Sequence, residues 1–262
     1  MSAMGSNMAL NSGPNSRRLT IVIPVLNEAA IIGPALQALE PLRARGAEVI
    51  VADGGSRDST AQLARPFADQ VIATPRGRGA AMNAGATAGT GDLQLFLHAD
   101  TTLPYHADDL IERALMHRCW GRFDVRIAGR HPLLRIVGRM ISLRSRLTGV
   151  ATGDQAMFVT REAFEAVGRF PDLPLMEDIA LSQELKRLCR PSCIGTPIIT
   201  SGRRWEQYGV VRTIVLMWQL RLAYYLGVAP ALLARRYRRS RPAPQPLPQP
   251  LSPSAAQSRA RP

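Results

Sequence analysis

Apolar runs alternate with helical patterns through the first hundred residues, and this alternation limits the fold more than any other feature. The runs are short and rich in β-branched residues, which is typical of buried strands. Consecutive strands separated by helices lie parallel, with the helices covering both faces of the sheet. The sequence therefore predicts an α/β fold with a mostly parallel sheet. The predicted strands are Leu19–Val25, Glu48–Ala52, Gln70–Ala73 and Leu93–Leu97, and the predicted helices are Ala29–Leu42, Ser59–Ala68 and Gly79–Ala88.

The pattern is weaker after Pro104, where a second part of the same domain is expected. It predicts a helix over His106–His117, a basic stretch Arg118–Arg146, a strand over Gly153–Val159, and helices over 161–168 and 178–190. The chain is divided accordingly. The predicted parts are a disordered lead-in 1–18, a first half 19–104, a second half 105–208, C-terminal helices 209–240 and a disordered Pro- and Arg-rich tail 241–262.

The basic charge is concentrated at the two ends of the chain. The net charge is +13, but nine arginines lie in residues 1–18 and 235–262, where there is no acid. Residues 19–234 therefore carry only +4. A basic protein that binds nucleic acid or a membrane surface remains an alternative. The aromatic content of 5% argues against nucleic acid, because single-strand binding uses stacking platforms as well as charge.

Cysteine usage and the N-terminus indicate a cytoplasmic protein. Cys119, Cys189 and Cys193 show no CxxC spacing, and residues 1–18 lack the apolar core of a secretory signal. One segment, 212–235, is long and apolar, but Gln219, Arg221 and Pro230 interrupt it. We expect a packed helix pair there, with peripheral contact between 209–240 and anionic lipid as the alternative.

Two acidic residues follow predicted strands, at the edge where a parallel sheet binds ligands. Asp53 begins the loop DGGSRDS, which either approaches a nucleotide or is an ordinary βα turn with Asp58 or Ser59 as helix cap. Asp100 ends the LHAD segment and is a candidate for binding a metal or phosphate. His98, two residues earlier, is either structural or reaches the same cleft.

Basic clusters lie in two other loops. Arg78, in the sequence RGRG, supplies a planar guanidinium to a phosphate or belongs to a solvated turn. Arg203 and Arg204 stand beside Trp205, where they either neutralise a diphosphate next to a stacking indole or pair with surface acids.

Glu177 and Asp178 begin a predicted helix after a Pro-containing loop. A carboxylate at a helix start commonly caps the free amides. The alternative is that one of the two carboxylates faces a cleft as a general base.

Taken together, these segments resemble the inverting family-2 glycosyltransferases of the GT-A fold, in which a Rossmann-like sheet is flanked by helices. The likeness extends in order from about Leu19 to Arg238. It is greatest to a selenium-associated subgroup that includes the selenosugar synthases of selenoneine biosynthesis, whose LHAD, GDQ and SxRRW traits are present. The matching segments are IPVLNE (23–28), DGGSRDST (53–60), RGRGAAMNAGA (76–86), LHAD (97–100), GDQAMF (153–158), MED (176–178) and RRW (203–205).

The resemblance implies a role for each matching residue. Asp178 would be the catalytic base with Glu177 beside it, and Arg203 and Arg204 would act on the pyrophosphate. Asp100 would bind Mg²⁺ or Mn²⁺, although His98 replaces the first aspartate of the family's DxD motif. The residues implied to bind the UDP-sugar are Pro24, Asn27, Glu28, Asp53, Arg78, Asp100 and Trp205, and those implied to face the acceptor are Gly153, Asp154 and Gln155.

The reaction that the resemblance implies is transfer of glucose or N-acetylglucosamine from a UDP-sugar, with inversion. The acceptor expected from the subgroup is selenophosphate, a small anion, and nucleic acid is not an expected partner. A lipid-phosphate or other hydroxyl acceptor at a membrane surface is the alternative. A nucleotidyltransferase, which would release pyrophosphate instead of UDP, is a second enzymatic alternative.

Overall fold

In the described part of the chain, residues 17–239 of this computed structural model, eight strands form one mixed sheet. Its order is β3-β2-β1-β4-β7-β6-β8-β5, and four of the seven neighbouring pairs are parallel. The predicted α/β class is confirmed. The strands are β1 (Leu19–Val25), β2 (Glu48–Asp53), β3 (Gln70–Ala73), β4 (Leu93–Phe96), β5 (Thr101–Thr102), β6 (Trp120–Ala128), β7 (Met157–Thr160) and β8 (Ser192–Ser201).

Strand β1 lies inside the sheet and is buried on both faces. It pairs in parallel with β2 on one side and β4 on the other. Ile21 and Ile23 join the apolar cluster on one face of the sheet, and Val22 joins the cluster on the opposite face. Because both faces are covered, nearly every position of this strand is apolar, which explains its uninterrupted run in the sequence.

Helices cover both faces of the sheet. Helix α4 approaches β1 so closely that a Cβ on Gly85 would stand 2.3 Å from Cγ1 of Val22, so this position requires glycine. The helices are α1 (Ile32–Gln37), α2 (Glu40–Ala44), α3 (Thr60–Ala64), α4 (Arg78–Ala88), α5 (Ala107–Leu115), α6 (Leu133–Thr148), α7 (Arg161–Ala166), α8 (Glu177–Leu188), α9 (Arg203–Tyr208), α10 (Val210–Tyr225) and α11 (Pro230–Arg239).

The structure differs from the predicted elements in three places. The single helix predicted over Ala29–Leu42 is two short helices, α1 and α2, because Pro41 has no N–H to continue the first one. The strand predicted over Gly153–Val159 begins only at Met157, after a 3-10 turn over Gly153–Gln155.

The third difference concerns two segments whose regular structure was not predicted. The basic stretch Arg118–Arg146 contains β6 and most of α6, and residues 192–201 form β8. Most charges of the basic stretch are on exposed positions, but Arg122 is buried within β6, and this mixture hides the apolar periodicity of the buried positions. The predicted lead-in and tail lie outside the described residues, except for Arg17 and Arg18.

The C-terminal helices pack on the start of α8. Leu220 of α10 and Leu233 of α11 form a small apolar cluster with Val150, Met176 and Ile179. Within residues 17–239, no helix is both long enough and apolar enough to cross a bilayer. This agrees with the packed helix pair expected for this segment.

Candidate active site

A cleft of about 850 Å³ opens at the carboxyl ends of β1 and β4 and extends between α6, α8 and α10. This is the edge at which ligands bind in open α/β sheets. The cleft collects residues from seven separate segments of the sequence. Eleven of the fourteen predicted site residues line it: Pro24, Glu28, Arg78, Asp100, Gly153, Asp154, Glu177, Asp178, Arg203, Arg204 and Trp205.

Asn27 and Asp53 do not line the cleft but join the two loops beside it. The Asn27 amide donates a hydrogen bond to Ser56 Oγ at 2.9 Å, and the Arg57 amide donates to Asn27 Oδ1 at 2.8 Å. Asp53 Oδ1 accepts hydrogen bonds from both the amide and the hydroxyl of Ser56. These bonds connect the loop after β1 with the βα turn after β2, so the two residues order these loops from outside the cleft wall.

Gln155, the third predicted residue outside the cleft wall, is fully buried. Its Oε1 accepts hydrogen bonds from the amide and the hydroxyl of Thr152, which closes the 3-10 turn. Its neighbours Gly153 and Asp154 are therefore held toward the cleft by a side chain that points inward.

Arg78 begins α4 and forms an ion pair with Glu177, which begins α8. The Nη1 to Oε1 distance is 3.3 Å, and the Glu177 side chain is only 4% exposed while that of Arg78 is 44% exposed. Burial raises the pKa of Glu177, the charge of Asp178 adds to this, and Arg78 opposes it. Burial also works against the charge of Arg78, but the carboxylates of Glu177 and Asp178 outweigh it and raise the pKa of Arg78. Arg78 is thus a fixed cation at the cleft wall.

Asp178 is held by backbone amides from two elements. Its Oδ2 accepts a hydrogen bond from the Gly153 amide at 2.7 Å, and its Oδ1 accepts one from the Ile179 amide at 2.8 Å. Asp178 therefore accepts a hydrogen bond from an amide in the first turn of α8, which is part of what the capping alternative predicts. The same carboxylate lines the cleft, so capping and a role at the cleft are compatible.

His98 lies beneath the Gly153 turn. Its Nε2 is buried and makes no hydrogen bond, and a Cβ on Gly153 would stand only 2.9 Å from this atom. Burial lowers the pKa of His98 to about 3, and the charges of Arg78 and Arg204 act in the same direction while Asp154 opposes them. The imidazole is neutral, and its Nε2 supports the turn from below.

Asp100 is exposed in the cleft and lies near Glu28. Burial raises the pKa of Glu28, Arg203 lowers it, and the charge of Asp100 raises it further. Within residues 17–239, no three His, Cys, Asp or Glu side chains are grouped to hold a metal. Mg²⁺ needs only one or two carboxylates when it also binds substrate phosphates. The acidic pair fits a metal ion shared with a diphosphate, and a metal at Asp100 stays a prediction.

Helix α9 carries the basic cluster that follows β8. The Arg204 guanidinium lies over the ring of Tyr237 at 4.9 Å from its centroid, and Trp205 packs against the apolar core. Arg203 is exposed and acts electrostatically on Glu28. Arg203 of this cluster is therefore within electrostatic reach of the acidic residues that follow the strands.

Sequence reasoning did not identify Arg144 of α6 and Arg221 of α10, although both line the cleft. Arg144 was part of the basic stretch and looked like one surface charge among several. Arg221 was noted only because it interrupts an apolar segment. A single arginine within an otherwise apolar helix was the signal that could have located it.

Part of the chain that forms this cleft is similar to a known protein family. Residues 20–132, which supply the acidic strand ends and Arg78, match the family model Glycosyl transferase family 2. This stretch of the chain is similar to family 2 glycosyltransferases. The chain is also 38% identical over 98 residues to PGL/p-HBAD biosynthesis glycosyltransferases of Mycobacterium bovis and Mycobacterium tuberculosis. That alignment covers 35% of this chain and 38% of theirs, so the chain matches well under half the length of these relatives.

Solved structures of glycosyltransferases share the fold of this domain. S. aureus TarS 1-349 superposes with a TM-score of 0.57 at 18% identity, covering 75% of this chain and 64% of that one. The mannosyltransferase PcManGT from Pyrobaculum calidifontis, in complex with GDP-Man and Mn²⁺, gives 0.58 at 19% identity over 88% and 67%. Glucosyl-3-phosphoglycerate synthase from Mycobacterium tuberculosis, with Mn²⁺, UDP and its product, gives 0.51 at 23% over 70% and 71%. The predicted GT-A fold with C-terminal helices is confirmed.

Proposed function

We propose that the protein transfers a hexose from a UDP-sugar to a small anionic acceptor, with inversion at the anomeric carbon. The proposal rests on one observation: residues from two distant parts of the sequence line the same cleft. Asp178, fixed by the Gly153 amide at 2.7 Å, faces the cleft that Glu28, Arg78 and Asp100 line from the strand ends. Such a cleft offers a donor side and an acceptor side to the two substrates.

The donor side is formed by the strand ends and by α4. Pro24 and Glu28 stand at the end of β1, where the loops ordered by Asn27 and Asp53 would enclose the uridine. Arg78 places a cation there that Glu177 holds in position. Two structural neighbours contain Mn²⁺, one together with GDP-Man and the other together with UDP. When bound at Asp100, Mg²⁺ or Mn²⁺ would neutralise charge on the diphosphate.

The leaving group is the diphosphate, because the bond between the anomeric carbon and the UDP oxygen breaks and UDP keeps the electron pair. Arg203 and Arg204 line the cleft and carry the positive charge that this developing anion requires. Trp205 packs against the core beside them and fixes the start of α9. These side chains would stabilise the transition state electrostatically.

The acceptor side contains Gly153, Asp154 and Asp178. The acceptor that we propose is selenophosphate, whose selenium attacks the face of the sugar opposite UDP. This nucleophile is already anionic, so its selenium attacks without a general base. Asp178 would then orient the turn and the acceptor, and Glu177 would act through Arg78.

The experiment that tests this function is incubation of the protein with UDP-glucose or UDP-N-acetylglucosamine, Mg²⁺ and selenophosphate. We expect UDP release and a selenium-containing sugar phosphate, both identified by mass spectrometry. An Arg78→Ala variant is the matched negative control for donor use. No UDP release with any donor, with selenophosphate or with alcohols as acceptors, would refute the proposal.

A hydroxyl or lipid-phosphate acceptor at a membrane surface is the second candidate, and exposed apolar side chains favour it. They form one stripe along α6 and another along α10, at spacings of three and four residues. Residues 129–152 and 207–239, which include these helices, hold eleven arginines and no acid, which suits an anionic bilayer. The exposed residues are Ile136, Met140, Leu143 and Leu147 on α6, and Val211, Val215, Trp218, Leu222 and Tyr225 on α10.

Vesicle binding separates this candidate from the first. If the stripes contact lipid, wild-type protein sediments with phosphatidylglycerol vesicles, and the Leu147→Ser/Leu222→Ser variant does not. Leu188→Ser, which changes an exposed leucine on α8 at 52% exposure, is the matched control and should sediment like wild type. Equal sedimentation of all three proteins, or of none, would exclude a membrane role for the stripes.

A further inference from the structure

Two arginines on the C-terminal side of the cleft form no ion pair with a carboxylate in the described part of the chain. Arg144 projects from α6 and Arg221 from α10, and both line the cleft. No carboxylate of residues 17–239 lies within ion-pair distance of either guanidinium. By contrast, Arg146, two residues further along α6, pairs with Asp124 at 2.7 Å.

The surroundings of Arg144 leave part of its hydrogen-bonding capacity unused. Its Nε is buried and makes no hydrogen bond within the described chain, and its Nη2 is 3.5 Å from Thr152 Oγ1. A guanidinium has five N–H donors, and a buried donor without a partner costs free energy. Such a group is satisfied when an oxyanion enters the cleft.

The two guanidinium groups also act on each other. Burial lowers the pKa of Arg144 to about 10, and the charge of Arg221 is the next largest cause. The carboxylates of Asp154 and Asp178 act in the opposite direction. Two cations therefore lie within electrostatic reach of each other in a partly desolvated wall, and an anion between them would relieve their repulsion.

The position of the pair matches the acceptor side. Thr152, which Arg144 approaches, directly precedes Gly153, and the Gly153 amide binds Asp178. The donor-side cation Arg78 is instead occupied by Glu177. A ligand held by Arg144 and Arg221 would thus lie beside the turn that fixes Asp178.

We propose that Arg144 and Arg221 form the acceptor subsite and bind a phosphate-type oxyanion through their two guanidinium groups. This inference rests on the proposed function and assigns its acceptor side. Paired guanidinium groups bind the oxygens of such an anion with bidentate geometry. The anion is either a free selenophosphate-like ion or the phosphate headgroup of a lipid, since both present the same oxygens.

The test measures binding of inorganic phosphate and thiophosphate by calorimetry to protein saturated with UDP and Mg²⁺. Saturation blocks the diphosphate position, so the added anion reports on the acceptor side. We expect Arg144→Gln and Arg221→Gln each to weaken phosphate binding by about tenfold or more. Arg139→Gln and Arg212→Gln, exposed arginines on the same two helices outside the cleft wall, are the matched controls and should bind like wild type.

UDP binding distinguishes a failure of the acceptor subsite from a failure of the proposed function. All four variants should bind UDP like wild type, which also demonstrates that they are folded. If wild-type protein binds no UDP, the proposed function fails, and the same titration on UDP-free protein still decides the subsite. Measurable phosphate binding that is equal in wild type, Arg144→Gln and Arg221→Gln would overturn the subsite.

A vesicle-binding experiment shows whether the bound anion is a free ion or the headgroup of a lipid. Wild type and the four variants are sedimented with phosphatidylcholine vesicles, with and without phosphatidic acid. Binding of free phosphate that depends on both arginines supports a soluble anion. If the two arginines matter only for binding of the protein to vesicles that contain phosphatidic acid, the anion is a lipid headgroup. Independence from both arginines in each arm again overturns the subsite.

Discussion

The Gly153 amide donates a 2.7 Å hydrogen bond to Oδ2 of Asp178, and this bond joins the 3-10 turn to the start of α8. The second carboxylate oxygen accepts from the Ile179 amide. With both oxygens engaged, the carboxylate has a fixed orientation at the cleft wall. Its chemical role then depends on whether the acceptor brings a proton to be removed.

Replacement of Asp178 by asparagine tests that role. With selenophosphate as acceptor, no proton is abstracted, so we expect Asp178→Asn to lower kcat by less than about tenfold, through the loss of one acceptor oxygen. A hydroxyl acceptor would instead require a base and predicts a loss on the order of 10²-fold or more. Steady-state kinetics with both acceptors distinguish the cases. Asp172→Asn, at an exposed position of the preceding loop, is the control.

Gly153 is the point where the turn meets His98. An alanine Cβ would stand 2.9 Å from His98 Nε2 and 3.7 Å from Asp178 Oδ2, so the turn or the imidazole must move. We expect Gly153→Ala to lower the free energy of unfolding by roughly 1–3 kcal/mol. Urea denaturation measures this change, and Gly195→Ala, where the nearest atom is 3.8 Å away, is the control. A second substitution, His98→Ala, should recover part of the loss. Additive effects of the two changes would contradict the steric account.

Arg78 is the cation that keeps the buried carboxylate of Glu177 paired. Its removal leaves that carboxylate, 4% exposed, without its ion-pair partner. We expect Arg78→Ala to reduce the free energy of unfolding by about 1–3 kcal/mol, a range lowered for the partial exposure of the arginine. It should also weaken UDP binding. Arg76→Ala, an exposed arginine of the same loop, should change neither quantity. A thermal melt and a UDP titration on both variants check this prediction.

The first half of the domain was predictable because local sequence and tertiary structure agree there. Strand β1 is predicted at its observed ends, since burial on both faces demands a continuous apolar run. The second half was less predictable. In β6, buried Arg122 pairs with Asp124, so a strand with charged residues was taken for a basic stretch. Only the tertiary structure reveals which charges are internal.

The residues of the cleft also divide into those that the sequence predicts and those that it does not. Asp100 and Arg78 were predictable because they follow strands or precede a helix at the ligand-binding edge of the sheet. The family resemblance of the GDQ segment implied that Gln155 faces the acceptor, whereas its side chain is buried and closes the 3-10 turn from inside. Arg144 and Arg221 belong to no recognisable motif, and they come near each other only because α6 and α10 both border the cleft. No local pattern encodes that proximity.

The buried carboxyl of Glu177 predicts a pH-dependent stability. Burial raises its pKa above the model-compound value of 4.5, with Asp178 adding to the effect. The folded protein therefore binds a proton more tightly than the unfolded chain does. The stability contributed by the protonated carboxyl is fully present below pH 4.5 and is lost as pH rises through the folded-state pKa.

Glu177→Gln removes this titration. We expect the free energy of unfolding of Glu177→Gln, relative to wild type, to increase between pH 4.5 and pH 7.5 by on the order of 1 kcal/mol. Loss of the ion pair to Arg78 adds an offset but does not reverse the slope. Urea denaturation of both proteins across this range measures the difference. A difference that stays constant or shrinks with rising pH would contradict the burial of this carboxyl.

Metal binding at the acidic strand ends is tested through the nucleotide. Because Asp100 and Glu28 supply too few ligands to hold Mg²⁺ or Mn²⁺ alone, we expect the metal and UDP to bind cooperatively. Addition of Mn²⁺ should tighten UDP binding to wild type, and EDTA should reverse the effect. In Asp100→Asn, the tightening of UDP binding by Mn²⁺ should be smaller by on the order of tenfold, while the UDP affinity without metal changes little. Asp109→Asn, an exposed aspartate of α5 outside the cleft, should retain the full enhancement. Equal enhancement in Asp100→Asn and wild type would remove Asp100 as the metal ligand.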